Sequence, residues 1–322
     1  MTARALLRRY GRVLQLVLLA VVLWYAGEAM TRYWADFRAR AGALRPRWGG
    51  VLGSTLVVLA TYALLIESWR TLVRAWGDRL AFGDAARIWA VSNLGRYVPG
   101  KLWSIGAMGV LAQRAGVSPV AAAGSAVVGT VINLAVAPLV VLLAGAGAAR
   151  ALFPTLGAIA EWLPAAATAG LVAVPVLVPR VLGFAARLTG RPAPTRTVPL
   201  RALAVVVVAN VAAWVGYGLA FRWLAASLVP GSAGNHLSYV AVFAGSYLAG
   251  YLALVVPGGL VVRETALTTA LVGLGLADAP TAALLAVASR LWLTVLELLP
   301  GLAFLAGSPA RTFSRSATDA NT

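Results

Sequence analysis

From Ile88 to Leu111 the chain reads I-W-A-V-S-N-L-G-R-Y-V-P-G-K-L-W-S-I-G-A-M-G-V-L. The stretch is apolar enough to enter a bilayer, yet Pro99-Gly100 interrupts it halfway, with Arg96 and Lys101 beside the break. A continuous helix through Pro99 would lose a backbone hydrogen bond and clash with the preceding turn. A charge near the bilayer centre costs at least roughly 2.5–3.5 kcal/mol on insertion scales. Both features in one segment predict a pair of half-helices meeting at a site. A second segment, Val240 to Val272, repeats the pattern, with Pro257-Gly258 at the break and Arg263-Glu264 after it.

Composition sets the class. The 322 residues are 61% hydrophobic and 11% charged, with a mean hydropathy of +0.84. A soluble core does not need so much apolar surface, and several runs reach the roughly 20 residues that span a bilayer. An all-α, polytopic membrane helix bundle is expected. The net charge of +17 comes from 26 arginines and the single lysine, Lys101, against ten acids. The arginines are scattered over short loops, as topology signals are, and no nucleic acid is expected as a partner. Without cysteine, thiolate chemistry and disulfides are excluded; with one histidine, His236, a histidine metal site or triad cannot be assembled. Neither metal nor cofactor is expected.

Six full spans are predicted: Val13–Met30, Val51–Trp69, Val120–Gly145, Leu163–Leu182, Leu203–Ser227 and Thr281–Ala306. The first follows a basic N-terminus with no small-residue cleavage site after it, and reads as a retained helix. Arg70 to Arg87 is charged and aromatic and reads as interfacial, with Gly83-Asp84 as a cap for the first broken hairpin, 85–113. Each half of that hairpin has about 13 residues, roughly 20 Å at 1.5 Å per residue, too short to cross. Ser118-Pro119 and Asp278-Ala279-Pro280 are capped helix starts with an early proline. The second broken hairpin covers 237–274. One transmembrane domain, 1–306, is expected, with halves at about 51–145 and 200–306 and a disordered cytoplasmic tail at 307–322.

The halves correspond in order. The two Pro-Gly breaks lie 158 residues apart, and Pro119 and Pro280 lie 161 apart. Three spans between the hairpins put them on opposite faces of the membrane, the inverted repeat of many secondary transporters. The charges do not superpose: Arg263 and Glu264 fall opposite Ile105 and Gly106. With the N-terminus inside, sixteen loop arginines lie inside and seven outside, which favours cytoplasmic N- and C-termini in the inner (plasma) membrane.

Irregular backbone at membrane depth lines a cavity or is buried in protein. Two cations beside helix ends suit an anion, above all a phosphate; alternatively, Arg96 and Lys101 snorkel to the near interface. Arg263 and Glu264 are adjacent, so their side chains diverge by about 100° and each needs a partner elsewhere. Arg290 and Glu297, two turns apart on one face of the last span, are the candidates. Such a network either holds the bundle together or rearranges during function. The eleven tryptophans read mostly as interfacial anchors.

N-L-G-R-Y-V-P-G-K-L-W at 93–103 and V-P-G-G-L-V-V-R-E-T-A-L at 256–267 resemble the transmembrane domain of the lysylphosphatidylglycerol synthase family, the flippase-like integral membrane proteins. The resemblance covers nearly the whole chain. Bifunctional members flip an aminoacylated phospholipid that a separate cytosolic domain makes; with sixteen residues after Ala306, the resemblance here implies the flippase-like part alone.

The expected function is a transporter rather than an enzyme, translocating an anionic phospholipid or a polyprenyl-linked lipid through a central cavity between two opposed hairpins. Arg96 and Lys101 would hold the phosphate, with Asn93, Tyr97, Pro99 and Gly100 at the headgroup. Arg263, Glu264, Arg290 and Glu297, with Pro257 and Gly258, would form the gate. The rival readings are a membrane-embedded transferase acting on a lipid-linked sugar, with Glu264 and Glu297 as the available general bases, and a non-catalytic lipid-binding partner of a separately encoded enzyme.

Overall fold

The computed structural model describes residues 46–97, 102–143, 197–229, 234–252 and 261–306, with isolated positions at 42 and between 162 and 187. The predicted span at 13–30, most of that at 163–182, the tail, and residues Pro99, Gly100, Lys101, Pro257 and Gly258 lie outside these, as do the side chains of Arg96 and Tyr97.

The described chain is helical: α1 (Trp48–Ala75), α2 (Phe82–Asn93) with a 3₁₀ turn Leu94–Tyr97, α3 (Leu102–Arg114), α4 (Pro119–Leu143), α5 (Leu200–Leu228), α6 (His236–Leu252), α7 (Val262–Gly273) and α8 (Ala279–Ala306). Four of them, α1, α4, α5 and α8, are long and apolar enough to cross a membrane. Their outer faces carry large exposed apolar side chains such as Leu52, Leu56, Val208 and Leu299. On a water-facing surface these would be association patches; against acyl chains they are at home.

Local chemistry sets the helix ends. Ser118 turns its hydroxyl to the Ala121 N–H at 3.4 Å, and its own N–H donates to Asp78 Oδ2 at 3.0 Å, tying the α1–α2 loop to the start of α4. Asp278 caps α8, accepting from the Thr281 N–H at 3.0 Å. By contrast, α2 begins at Phe82 without a side-chain cap, so the cap expected at Gly83-Asp84 falls inside the first turn, where Asp84 faces the positive helix end. The charged stretch after Trp69 does not leave the helix. Glu67 pairs with Arg70 and with Arg74, the latter at 2.8 Å, and Arg70 donates to the Leu80 carbonyl at 2.8 and 3.0 Å, so α1 continues to Ala75. Proline does not end α4 or α8 either: Pro138 and Pro300 sit inside them.

Asp278 gives a pH signature. Hydrogen bonds from the side chain and then the backbone of Thr281 hold its carboxyl below the ordinary 3.8. A depressed folded pKa adds stability above the ordinary value, and this is lost as pH falls through the folded value. Asp278→Ala is therefore expected to lower the melting temperature at pH 7. The difference from wild type should shrink below pH 3.8, and Asp278→Asn, which keeps an acceptor, should follow wild type more closely at neutral pH.

Helices α1 and α5 pack along one another as the central pair. The short helices then cross over between the halves: α6 packs on α4, and α2 packs on α8. One helix of each short pair thus rests against the long helix of the other half, and its companion, α3 or α7, against that of its own. Indole N–H groups join helices: Trp69 to the Ala122 carbonyl at 3.1 Å, Trp214 to the Asn133 carbonyl at 3.0 Å, and Trp292 to Thr55 Oγ1 at 3.0 Å. Buried tryptophan needs such a partner. Trp69, Trp76 and Trp214 are core residues, whereas Trp48 and Trp162 are largely exposed; the reading of tryptophans as mainly interfacial anchors holds for only part of the set.

Candidate functional site

Between the helices lies a partly open cavity of about 210 Å³. Every element but α7 contributes to its wall. Ser68 and Trp69 come from α1, Trp89, Ser92 and Asn93 from α2, Ser104 and Met108 from α3, and Ser125, Thr130 and Asn133 from α4. Asn210, Trp214 and Tyr217 come from α5, Phe243, Tyr247 and Tyr251 from α6, and Leu293 and Glu297 from α8. The ends of α2, α3 and α6 reach this cavity. Ser92 and Asn93 end α2 and Ser104 opens α3, either side of 98–101; Tyr247 and Tyr251 lie in the last turns of α6, before 253–260.

The walls are aromatic and connected. Trp89 lies 5.2 Å from Tyr62, Tyr62 lies 6.2 Å from Tyr217, Tyr217 stacks on Phe243 at 5.6 Å, and Trp214 meets Tyr247 edge-on at 5.2 Å. Such ring pairs add roughly 0.5–1.5 kcal/mol each beyond their buried area, which helps hold this wall together. Between α4 and α5 runs a polar contact: Asn133 Nδ2 donates to Asn210 Oδ1 at 2.8 Å, and Asn210 Nδ2 donates to the Val206 carbonyl at 2.8 Å. Asn133 and Asn210 are each a polar residue within an apolar helix.

The buried charges sit behind one wall. Val261, at φ 70°, precedes α7, a conformation that a β-branched residue rarely adopts. It sets up the first turn of α7, in which Arg263 and Glu264 are both buried. The two side chains diverge. The Arg263 guanidinium lies over the rings of Phe243 at 5.1 Å and Tyr247 at 5.4 Å. Glu264 Oε1 faces Arg290 Nε at 3.7 Å. Phe243 and Tyr247 are also among the residues that line the cavity, so Arg263 packs on rings that belong to its wall. Glu297, two turns beyond Arg290 on α8, lines the cavity itself.

Of the sequence candidates, the structure brings Asn93 and Glu297 to the cavity and Arg263, Glu264 and Arg290 into one cluster beside it. Arg96 and Tyr97 are placed in the 3₁₀ turn after α2 by their backbone. What sequence reading did not find is the aromatic and hydroxyl lining. No protein-family model matches the chain, and no curated protein is detectably similar to it in sequence.

Proposed function

We propose that the chain is a flippase-like membrane transporter that moves an anionic phospholipid or a lipid-linked headgroup through the cavity between its halves. The observation that supports this most is the convergence of the ends of α2, α3 and α6 on one largely aromatic cavity with polar groups in its wall, within a bundle that has four membrane-length helices. Discontinuous helices meeting near the midplane are how secondary transporters place a polar substrate in a bilayer. The motifs that resemble the lysylphosphatidylglycerol synthase transmembrane domain, 93–103 and 256–267, are the ones that flank these ends.

In this reading α2–α3 and α6–α7 are re-entrant hairpins entering from opposite faces, and the halves form an inverted repeat, with further spans at 13–30 and 163–182. The crossed packing of α6 on α4 and α2 on α8 is what a two-fold relation between halves requires. Both termini are cytoplasmic, at the inner membrane. Arg96 and Lys101 hold the lipid phosphate at the first break, the headgroup enters the cavity, and the hydrocarbon chains stay in the bilayer. The cluster of Arg263, Glu264 and Arg290, with Glu297, is the gate: it is charged, buried and joined to the cavity by Phe243 and Tyr247.

Mass spectrometry of lipids retained through gentle purification tests the phosphate site. Wild type is expected to keep one anionic lipid class that an Arg96→Ala/Lys101→Ala variant loses. Equal retention by both would remove Arg96 and Lys101 from the site. Co-purification of a lipid-modifying enzyme, without selective lipid, would point to a lipid-binding partner instead.

A further inference from the structure

Where α1 gives way to α2 the chain builds an open recess of about 750 Å³, lined by Arg70, Arg74 and Arg79 together with Asp78, Leu80 and Ala81. None of these residues lines the central cavity. The loop that shapes the recess is fixed from within. Trp76 is buried, and Gly77 turns the chain at φ 100°, a conformation open to glycine. The Asp78 N–H donates to the Val73 carbonyl at 3.3 Å, and Asp78 Oδ2 accepts from the Ser118 N–H at 3.0 Å. Arg70 is committed to the same loop: Nε and Nη2 both donate to the Leu80 carbonyl, and Nη1 pairs with Glu67. Residues 79–81 are thereby held against the last turns of α1, which brings Arg74 and Arg79 to one space. The Arg74 side chain is 45% exposed and Arg79 is exposed too, so both can be reached from outside.

The charge here is unbalanced by one. Three guanidiniums stand against two carboxylates, and both carboxylates already have partners: Glu67 holds Arg70 and Arg74, and Asp78 holds the Ser118 N–H. Arg79 has neither an ion pair nor a hydrogen bond among the described residues. Guanidiniums bind phosphate oxygens through charge-assisted, often paired hydrogen bonds, and one phosphodiester charge would balance the recess. Depth says where that phosphate comes from. Helix α1 has 28 residues, about 42 Å at 1.5 Å per residue, against about 30 Å for the hydrocarbon layer. Its apolar run, Val51 to Ile66, ends before the arginines, so Arg70 and Arg74 emerge at the level of the headgroups. Phe82, with the Arg70 guanidinium 5.7 Å from its ring centroid, is 44% exposed and gives the cationic recess an apolar rim. A zwitterionic headgroup would bring a cation along with its phosphate and leave the imbalance in place. Arginines that only set topology act by number and need no shared recess.

We propose that this recess is a binding site for an anionic phospholipid of the adjoining leaflet, its phosphodiester held by Arg74 and Arg79 and an acyl chain lying against Phe82. In the orientation given above that leaflet is the cytoplasmic one. The lipid stays in its leaflet, so the site does not depend on transport through the cavity.

The test is native mass spectrometry of the full chain in detergent micelles, titrated with dioleoyl phosphatidylglycerol, dioleoyl phosphatidylcholine or glycerol phosphate. Wild type is expected to bind phosphatidylglycerol at least about tenfold more tightly than phosphatidylcholine. Arg79→Gln, which breaks no bond, should lose about fivefold, and Arg74→Gln/Arg79→Gln about thirtyfold. The control, Arg114→Gln/Arg201→Gln, removes the same charge from the same end of the bundle but outside the recess. Arg114 precedes the Ser118 that touches Asp78, and the bond from the Arg47 N–H to the Ser227 carbonyl sets α5 antiparallel to α1, with Arg201 toward the end of α1. This control should bind as wild type does. An equal loss in the control would overturn the site in favour of a general surface field. Equal binding of the two lipids would overturn it, as would glycerol phosphate binding as tightly as the lipid, which would assign the recess to a soluble phosphate. Unchanged phosphatidylglycerol binding in Arg74→Gln/Arg79→Gln would also overturn it and leave the central cavity as the place for that lipid, so this site and the transport reading fail separately.

Discussion

Replacing Arg290 by leucine is expected to destabilise the protein by about 3–5 kcal/mol, the cost of leaving one member of a buried ion pair alone. Glu264 is buried, neither of its oxygens has a hydrogen-bond partner among the described residues, and Arg290 Nε at 3.7 Å is the ion-pair partner the structure gives it. The distance matters. At 3.7 Å the contact is a charge pair and not a good hydrogen bond, so Arg290, together with the buried Arg263, gives Glu264 charge compensation rather than a directed bond. Glu264→Gln removes the buried negative charge but leaves Arg290, which is more exposed and can reach other surroundings; its cost should be smaller. Glu264→Gln/Arg290→Leu should recover much of the stability lost by Arg290→Leu alone, because replacing both members of a buried pair is often near neutral. Tryptophan-fluorescence melting suits a chain with eleven tryptophans and no cysteine. A double variant no more stable than Arg290→Leu would show that the pair is not the unit that matters.

The second large effect is steric. A methyl added at Gly218 would fall on the backbone Cα of Val240 as well as on its side chain. Helices α5 and α6 touch there backbone to backbone, the close approach that small residues allow in membranes. A backbone cannot move aside as a long side chain can, so Gly218→Ala is expected to cost about 1–3 kcal/mol, the usual range for overpacking, and Gly218→Leu more. Gly216→Ala is the instructive comparison. There the obstacle is the Thr61 hydroxyl, a side chain that can rotate, so the cost should be lower. Because Phe243 and Tyr247 lie farther along α6, pushing α5 and α6 apart at Gly218 should also disturb the cavity wall, and binding should fall together with stability.

Much of the architecture was legible because bilayers permit few solutions. Hydropathy located the helices that became α1, α4, α5 and α8 within a few residues. The boundary after Trp69 was misread because charge usually marks the membrane edge; here Glu67, Arg70 and Arg74 satisfy one another along the helix and it runs on to Ala75. The capping signal was reliable where a proline followed it, at Ser118-Pro119 and Asp278-Ala279-Pro280, and failed at Gly83-Asp84, where none did.

The site was harder to read. A charge in an apolar segment announces itself, so Arg263, Glu264, Arg290 and Glu297 were visible as a group. The divergence of Arg263 and Glu264 followed from helix geometry alone, but no spacing rule could send Arg263 to the faces of Phe243 and Tyr247 on another helix. The cavity lining was invisible for a different reason. Ser92 and Ser246 look alike in sequence, each a serine in an apolar run. Only tertiary structure shows that Ser246 bonds back to Phe243 while Ser92 does not. The same holds for tryptophan, whose identity does not reveal whether it anchors at an interface, as an exposed Trp48 can, or walls a cavity, as Trp214 does.

We propose that lipid crosses the membrane through this cavity. The most direct measurement is translocation in liposomes reconstituted with the purified chain, following a short-chain fluorescent anionic phospholipid from one leaflet to the other by accessibility to an impermeant reductant. Wild type should equilibrate the probe far faster than protein-free vesicles. Trp214→Ala and Arg290→Leu should slow it in proportions that their melting temperatures alone do not explain. Equal rates in wild-type and protein-free vesicles, for this probe and for a polyprenyl-phosphate probe alike, would contradict lipid transport by this chain.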